Sequence, residues 1–424
     1  MREMKDSGVE WIGEIPVDWK LSKIKHHFSI SSGTTPKSDE PEYWDGDIVW
    51  ITPADFKTDD VFVSKGHRNL SLEGYMVSSL QLVPAGNIIF SKRAPIGQVV
   101  INAIDLCTNQ GCLAVVLNDD SDVRFYRYVM SIATEEFELA GSGTTFKEIS
   151  ATSFGNILLP LTSKQEQTKC ADYLDVKCSK IDVIIEKQQA IIEKLKEYKL
   201  SIINEAVTQG INPDVNMKQS GYKWIGSIPE HWNMVYAKQL FSQRKDRAFE
   251  DDEQLTASQK YGIISQKEFM DIEGRQVMQV LKGEEILKHV EKGDFVISMR
   301  SFQGGLEYSE VSGKISSAYV MLIPNRDKVC DRYYKWLFKS KKYISALQGT
   351  SNLIRDGQAL RFSNFVQVYL PSLDLDEQKK IADYLDDVCP KIDNEIEKRE
   401  KLLEKVLEYK KSLIYEVVTG KKEV

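Results

Sequence analysis

The chain is 424 residues long, a length that favours two to four domains. Its 42% hydrophobic and 28% charged residues are an ordinary globular composition, but a net charge of −7 argues against a simple nucleic-acid coat, so any DNA reader here must concentrate its basic side chains locally or borrow positive charge from a partner. Six cysteines form no C-x-x-C pair, five histidines do not cluster near them, and there is neither an apolar leader nor a bilayer-length apolar run; these patterns argue against a disulfide framework, a zinc site and a membrane span, and a reducing cytoplasm fits best.

The chain opens with S-G-x-x-W-I-G-x-I-P-x-x-W, carried by Trp11, Gly13, Pro16 and Trp19. Residues 30–160 follow, with alternating apolar runs at 47–52, 88–91 and 112–117 and one helix-like stretch at 123–139, which reads as a compact α+β domain. Ser163-Lys164-Gln165-Glu166 is a capping box, and a short helix should follow it, ending near Ser179. A longer helix then carries apolar residues at spacings of four and three: Ile181, Ile185, Gln188, Ile192 and Leu195, widened by Ile184, Ile191, Tyr198 and Ile202. Gly210 stands where a helix stop is wanted, and Asn212-Pro213-Asp214 is a linker turn.

From residue 217 the whole pattern returns. Residues 4–29 and 217–242 are identical at 13 of 26 positions at an offset of 213, and Trp224, Gly226, Pro229 and Trp232 repeat the opening motif. A second middle, 243–370, corresponds only sparsely to the first; its runs lie at 294–298 and 318–323 and its helical stretch at 329–347. Residues 164–208 and 375–419 then share 25 of 45 positions at an offset of 211, including A-D-Y-L-D at 171–175 and 382–386. The second capping box is Asp374-Leu375-Asp376-Glu377, a break is expected at Pro390, and the second long helix carries Ile392, Ile396, Arg399, Leu403 and Val406 flanked by Leu402, Tyr409 and Leu413, with Gly420 as its stop. A period this long is a duplicated domain pair and not a solenoid.

The expected organisation is therefore a first domain at 1–162, a first helical region at 163–210, a linker at 211–216, a second domain at 217–373 and a second helical region at 374–424. The fold class is α+β: two similar α/β domains separated by long helices that form an antiparallel coiled coil, with a pseudo-two-fold from the duplication. About 28 residues at roughly 1.5 Å each make a rod of about 42 Å. The plainer alternative packs each helix on its own domain. No phosphate loop, dinucleotide fingerprint or methyltransferase signature is present; Gly304-Gly305 is isolated. Glu197-Tyr198-Lys199 and Glu408-Tyr409-Lys410 resemble a nuclease E-x-K only superficially and read as helix-surface charge. The chain is expected to be non-catalytic, without a metal or cofactor of its own.

The doubled W-I-G-x-I-P-x-x-W opening, Ser32–Pro36 (S-G-T-T-P), the two E-Q-x-K-x-A-D-Y-L-D helix starts and Ser298–Ser309 (SMRSFQGGLEYS) together resemble the specificity subunits of type I restriction–modification systems, over essentially the whole chain. The resemblance implies two variable target-recognition domains, each reading one half of a bipartite, interrupted site on double-stranded DNA. It also implies helical regions that set the spacing and dock two methyltransferase subunits, joined for restriction by two restriction/translocase subunits; S-adenosylmethionine, ATP and Mg2+ belong to those partners. The divergent middles hold the DNA-contact candidates, chosen as polar loop side chains able to reach base edges or phosphates: Thr34, Thr35, Lys37, Lys92, Arg93, Asn109, Gln110 and Lys147 in the first, and Arg244, Lys245, Arg247, Arg300, Gln303, Arg355 and Arg361 in the second. Solvated surface charge is the bland reading of each. The rival functional reading is a coiled-coil scaffold joining two protein-binding domains with no DNA role.

Overall fold

The computed structural model describes residues 2–57, 60–93, 95–143, 147–274, 286–350 and 360–424. Two compact units emerge, one of residues 1–189 and 401–424, the other of residues 190–400. Each unit contains one α/β domain and parts of both long helices. This is the expected α+β class with two similar domains.

In the first unit a five-stranded sheet runs in the order Phe28–Ser32, Cys112–Leu117, Ile88–Ser91, Val99–Asn102, Phe62–Val63, antiparallel except for the last pair. Its central strands are buried on both faces, which is why they read as unbroken apolar runs. A second sheet, Cys107–Thr108, Trp44–Ile51 and Arg68–Leu70, adds a small core of its own around Trp44, Trp50 and Leu80. The expected helix at 123–139 is two helices, Val123–Ile132 and Thr134–Leu139, that meet at the buried Ala133.

The second unit repeats the frame with fewer strands. Its sheet runs Phe241–Arg244, Val320–Pro324, Phe295–Ile297, Glu307–Tyr308, all antiparallel. The helical stretch again divides, into Asp331–Lys339 and Lys341–Gln348, because Ser340 leaves the helical region and caps the second piece by accepting from the Tyr343 amide. The added elements differ: a hairpin of Leu255–Ser258 with Gly262–Ser265, a helix Gln266–Glu273, and a pair Lys288–Val290 with Gly313–Ile315.

The long helices correct one expectation. Neither breaks: Lys164–Gln209 and Leu375–Val418 are continuous over 46 and 44 residues. Pro390 forfeits one backbone hydrogen bond, but it lies on the exposed side, where water can satisfy the Asp386 carbonyl, while Cys389, Ile392 and Ile396 stay buried beside it. Ser179, the matching position, has no such handicap at all. The capping boxes are also only half formed. Ser163 accepts from the Glu166 amide and Asp374 from the Asp376 amide, but the Glu166 and Glu377 carboxylates turn away to Arg2 and His231.

Within each unit the helices run antiparallel. In the first, Lys410 pairs with Asp182 and the Cys170 thiol approaches the Val417 carbonyl at 3.9 Å. In the second, Lys199 reaches Asp393 at 2.6 Å and Lys196 reaches Glu400 at 3.5 Å. The lysines of both E-x-K triplets are thus ion-paired across the helix pair. Of the expected seam, Ile181, Ile192, Ile202, Ile392, Ile396 and Leu413 are buried and Ile185, Ile191, Leu195, Leu403 and Val406 half-buried, whereas Ile184, Tyr198, Leu402 and Tyr409 are exposed.

Both helices end on the opening motif of a domain. Gly420 (φ +75°) lies so close to Pro16 that a Cβ would stand 2.5 Å from it, with Trp19 behind; a Cβ on Gly210 (φ +79°) would stand 3.6 Å from Trp232 and 3.8 Å from Pro229. Left-handed backbone and contact with the buried tryptophans explain why both stops are glycine.

Candidate nucleic-acid interface

A reading surface needs exposed donors and acceptors on a rigid frame. In the first domain the frame is one end of the five-stranded sheet. Ser32 pairs with Leu113 and Cys112 with Ser91, so the chain leaving Phe28–Ser32, the chain entering Cys112–Leu117 and the chain leaving Ile88–Ser91 emerge side by side. These three exits carry residues 33–37, 109–111 and 92–93.

Close contacts knit them together. Gly33 lies against Thr108, where a Cβ would stand 1.9 Å from the carbonyl oxygen, and the Thr34 amide donates to that same oxygen at 3.0 Å. The Trp50 indole fixes the Thr34 carbonyl and the Trp44 indole the Lys37 carbonyl, each at 3.1 Å. The Thr35 hydroxyl bonds the Gln110 amide oxygen. Asn109 is buried and accepts from the Gly111 amide at 2.8 Å, an Asx turn that lifts exposed Gln110 to the tip. Gly111 leaves room for Arg93, whose Nε would lie 2.9 Å from a Cβ there.

Seven of the eight candidates of this domain lie on these exits, and Lys147 adjoins them through Glu148, which bridges Arg93, but they serve in different roles. Asn109 builds the turn. Lys92 is only 13% exposed at its side chain and pairs with Glu148 at 2.9 Å, so it too is structural. Thr34, Lys37, Gln110 and Lys147 are exposed, and Thr35 and Arg93 half-exposed beside them. Arg68, not among the candidates, stacks its guanidinium 3.9 Å over Trp44 on the adjoining sheet. The sequence carries no local signal for it: Arg68 lies 24 residues beyond Trp44 and comes beside it only through the pairing of Arg68–Leu70 with Trp44–Ile51.

The second domain presents the same end of its sheet. Arg244 pairs with Met321 and Ile297 with Val320, which brings together the exits carrying residues 245–247, 298–300 and 316–319. Here Arg244 is committed: its Nε and a terminal nitrogen hold Asp294 at 2.6 and 3.2 Å, and its other terminal nitrogen holds Asp246 at 2.9 Å. Those hydrogen bonds, Asp294 foremost, raise its pKa still further. Lys245, Arg247, Arg300, Gln303 and Arg361 are exposed. Gln303 lies in a single helical turn, Ser301–Gly304, whose neighbour Gly305 (φ +79°) would place a Cβ 2.1 Å from the Phe338 carbonyl oxygen. The glycine pair is thus a close-packed corner. Arg361 opens the short helix Phe362–Phe365; Arg355 lies outside the described residues.

Among the described residues no group of three or more His, Cys, Asp or Glu could hold a metal ion, and no helix is long and apolar enough to cross a membrane.

The family described as the type I restriction modification DNA specificity domain matches the chain twice, at residues 16–197 and 229–405. Over 190 residues the chain is 36% identical to the type I restriction enzyme MjaIX specificity subunit of Methanocaldococcus jannaschii, covering 43% of each. A putative MjaX specificity subunit from the same organism is 28% identical over 200 residues, 46% of this chain and 44% of that protein. The chain thus spans less than half the length of these two relatives. With the MjaVIII specificity subunit, also from that organism, 22% identity extends over 96% of this chain and 93% of that protein. Among solved structures, a chain described in terms of complex assembly and conformational transition of the type I R-M system has a TM-score of 0.70 at 13% identity, covering 96% of this chain and 99% of that one. The HsdS subunit from Thermoanaerobacter tengcongensis has a TM-score of 0.52 at 13% identity, covering 96% and 98%. These likenesses establish the fold.

Proposed function

Because the chain belongs to the type I restriction modification DNA specificity family, we propose that it is the non-catalytic DNA-reading subunit of a cytoplasmic type I restriction–modification complex, and that each domain reads one half of a bipartite, interrupted site with the loop cluster at one end of its main sheet. The observation that carries this reading is the convergence of three strand-end loops in both domains, on equivalent frames but with different side chains. Equivalent frames give two similar approaches to DNA; different side chains give two different half-sites. In the first domain Gln110, Thr34, Thr35 and Arg93 are the readers, with Lys37 and Lys147 on phosphates; in the second, Lys245, Arg247, Arg300 and Gln303 take those tasks.

Two methyltransferase subunits dock on the helical regions. The exposed tyrosines Tyr198 and Tyr409 stand at equivalent positions of the two copies, 211 residues apart, and give one kind of partner two similar seats. Restriction/translocase subunits join for cleavage. S-adenosylmethionine, ATP and Mg2+ act on those partners and not on this chain. The test is methylation sequencing of host DNA with and without this gene. Loss of one bipartite modified motif is the expected result; an unchanged methylome in a strain with active partner genes overturns the reading.

A further inference from the structure

His289, in the strand Lys288–Val290, is 4% exposed, and both of its ring nitrogens meet carboxylates: Nδ1 is 2.8 Å from Asp252 and Nε2 is 3.0 Å from Glu291. An ionised carboxylate only accepts, so both nitrogens must donate, which only the imidazolium can do. The Phe249 ring packs against it, inclined by 59° at 4.6 Å between centroids. Burial alone would strip the proton, but the hydrogen bonds and charges of Asp252 and Glu291 outweigh it and raise the histidine pKa; the bond to His289 correspondingly lowers that of Glu291. The other charged neighbours are Arg244, which spans Asp294 and Asp246 and acts on Glu291, and Lys314, the cross-strand partner of His289.

This ion cluster stands directly behind a proposed reading loop. The His289 amide donates to the Asp246 carbonyl and the Ala248 amide to the Leu287 carbonyl, each at 3.1 Å. The Asp252 oxygen that faces His289 also accepts from the Phe249 amide at 2.8 Å and so closes the 249–252 turn. Residues 245–247 are therefore suspended between Arg244, fixed on Asp294, and a segment anchored through Asp252.

We propose that His289 is a positioning residue for DNA recognition by the second domain: its imidazolium ties Asp252 and Glu291 together, holds Lys245 and Arg247 in the reading geometry, and releases them when the ring loses its proton. The inference rests on the DNA-reading role proposed above. Its sign follows from linkage. A histidine whose folded pKa is raised contributes stability that is complete below its unfolded value, about 6.5, and is lost as pH rises through the folded value. Recognition by the second domain should therefore weaken on the alkaline side, while the first domain, where the His67 ring beside the 109–111 loop is exposed and meets the single carboxylate of Asp55, should not change in step with it.

The test uses the full chain with its co-expressed partner subunits, from about pH 6 to 9. Side-chain NMR follows the His289 proton, amide hydrogen exchange follows residues 245–253, and sequencing of the bound fraction from a pool of random duplexes follows each half-site. Protection of 245–253 and enrichment of the second half-site should fall together as His289 deprotonates, the enrichment by about tenfold for each loop side chain that leaves its base, with the first half-site constant. Glu291→Gln, at an exposed position, should move both transitions to lower pH; His289→Gln should leave 245–253 exchanging fast at every pH. Protection that stays flat while His289 loses its proton overturns the inference. Protection that follows His289 in a chain enriching no half-site at any pH upholds the positioning role and overturns the DNA-reading assignment instead.

Discussion

Arg124 donates to Asp172 at 2.8 Å, and Arg332 donates to Asp383 at 2.6 Å. Each arginine also takes the second aspartate of the same A-D-Y-L-D motif, Asp175 at 2.8 Å and Asp386 at 2.9 Å, and each second aspartate accepts from an aromatic one turn along, the Tyr128 hydroxyl or the Trp336 indole, at 2.8 Å. The arginine was duplicated together with its clasp. A glutamine completes it: Gln167 accepts from the Asp122 amide and Gln378 from the Cys330 amide, both at 2.8 Å, each at the start of the domain's helix. The repeated motif is thus the fastening of each domain to its long helix.

Arg124→Ala should cost the first unit about 1–2 kcal/mol, the range for charged hydrogen bonds discounted for partial exposure. In a unit of this size that is a fall in melting temperature of about 2–8 °C by calorimetry. Arg332→Ala should do the same to the second unit. A pair of wild-type melting curves would show the clasps to be ornamental.

The two clasps differ in acid. Burial pushes the Asp122 pKa up, but the Arg124 and Thr168 hydrogen bonds more than reverse this and hold it below the ordinary value. A depressed carboxylate contributes stability above its unfolded pKa, near 3.9, that is lost as pH falls through the folded value. The second unit has Cys330 in that place, so the attachment of the first domain to its long helix should loosen more than that of the second below about pH 4. Hydrogen exchange resolved by unit on acidification measures the difference; equal losses would contradict it.

Much of this frame was legible because identity at a constant offset needs no knowledge of packing. The repeated A-D-Y-L-D motif and the glycine stops lay in visible patterns, but the arginines that clasp that motif and the strand pairing that gathers Thr34, Thr35, Arg93 and Gln110 did not. Other features depend on partners far along the chain. Arg244 looks like a DNA contact until Asp294, 50 residues away, is found holding it. Pro390 looks like a helix end until its exposed side is known, since local propensity yields to the buried seam on the opposite face. Asn109 and Gln110 are neighbours of similar chemistry, and only the turn decides which one reaches solvent.

Gln110→Ala and Arg93→Ala should each relax or weaken the first half-site by about 1–3 kcal/mol, roughly 5- to 150-fold, and leave the second half-site intact. Asn109→Ala should instead destabilise the fold. Methylated-motif sequencing of each variant separates the cases. A change in the second half-site from a substitution in the first domain would contradict independent reading.

Tyr198→Asp and Tyr409→Asp place charges at exposed positions and should leave the stability within about 0.5 kcal/mol of wild type while weakening methyltransferase association. Leu402→Asp, also exposed, should behave likewise. Ile192→Asp, in the buried seam, should cost several kcal/mol and abolish soluble protein. Co-purification yields beside thermal melts give the contrast; unimpaired association of the tyrosine variants would put the partner elsewhere.

If the helix pair sets the gap between half-sites, the gap should track helix length and ignore the reading loops. Lys196 bridges Glu193 at 3.4 Å and Glu400 at 3.5 Å, so these three residues mark one level of the antiparallel pair. Four residues inserted after Glu193 lengthen the first helix by about 6 Å and rotate its C-terminal part by about 40°, since four residues overshoot the 3.6-residue turn. Alone, that insertion shifts the Lys199–Asp393 pair and everything beyond it against an unaltered mate, and the seam of Ile192, Ile202, Ile392 and Ile396 loses register. A matching insertion after Glu400 restores the register on both sides. At about 3.4 Å per base pair, the added length corresponds to one or two base pairs of DNA. The single insertion should therefore yield poorly soluble or inactive protein. The double insertion should methylate the same two half-sites with a gap longer by one or two base pairs, read by motif sequencing. An active double variant with its original gap would mean that the helices are not the ruler, and that the spacing is set where the partner subunits close around the DNA.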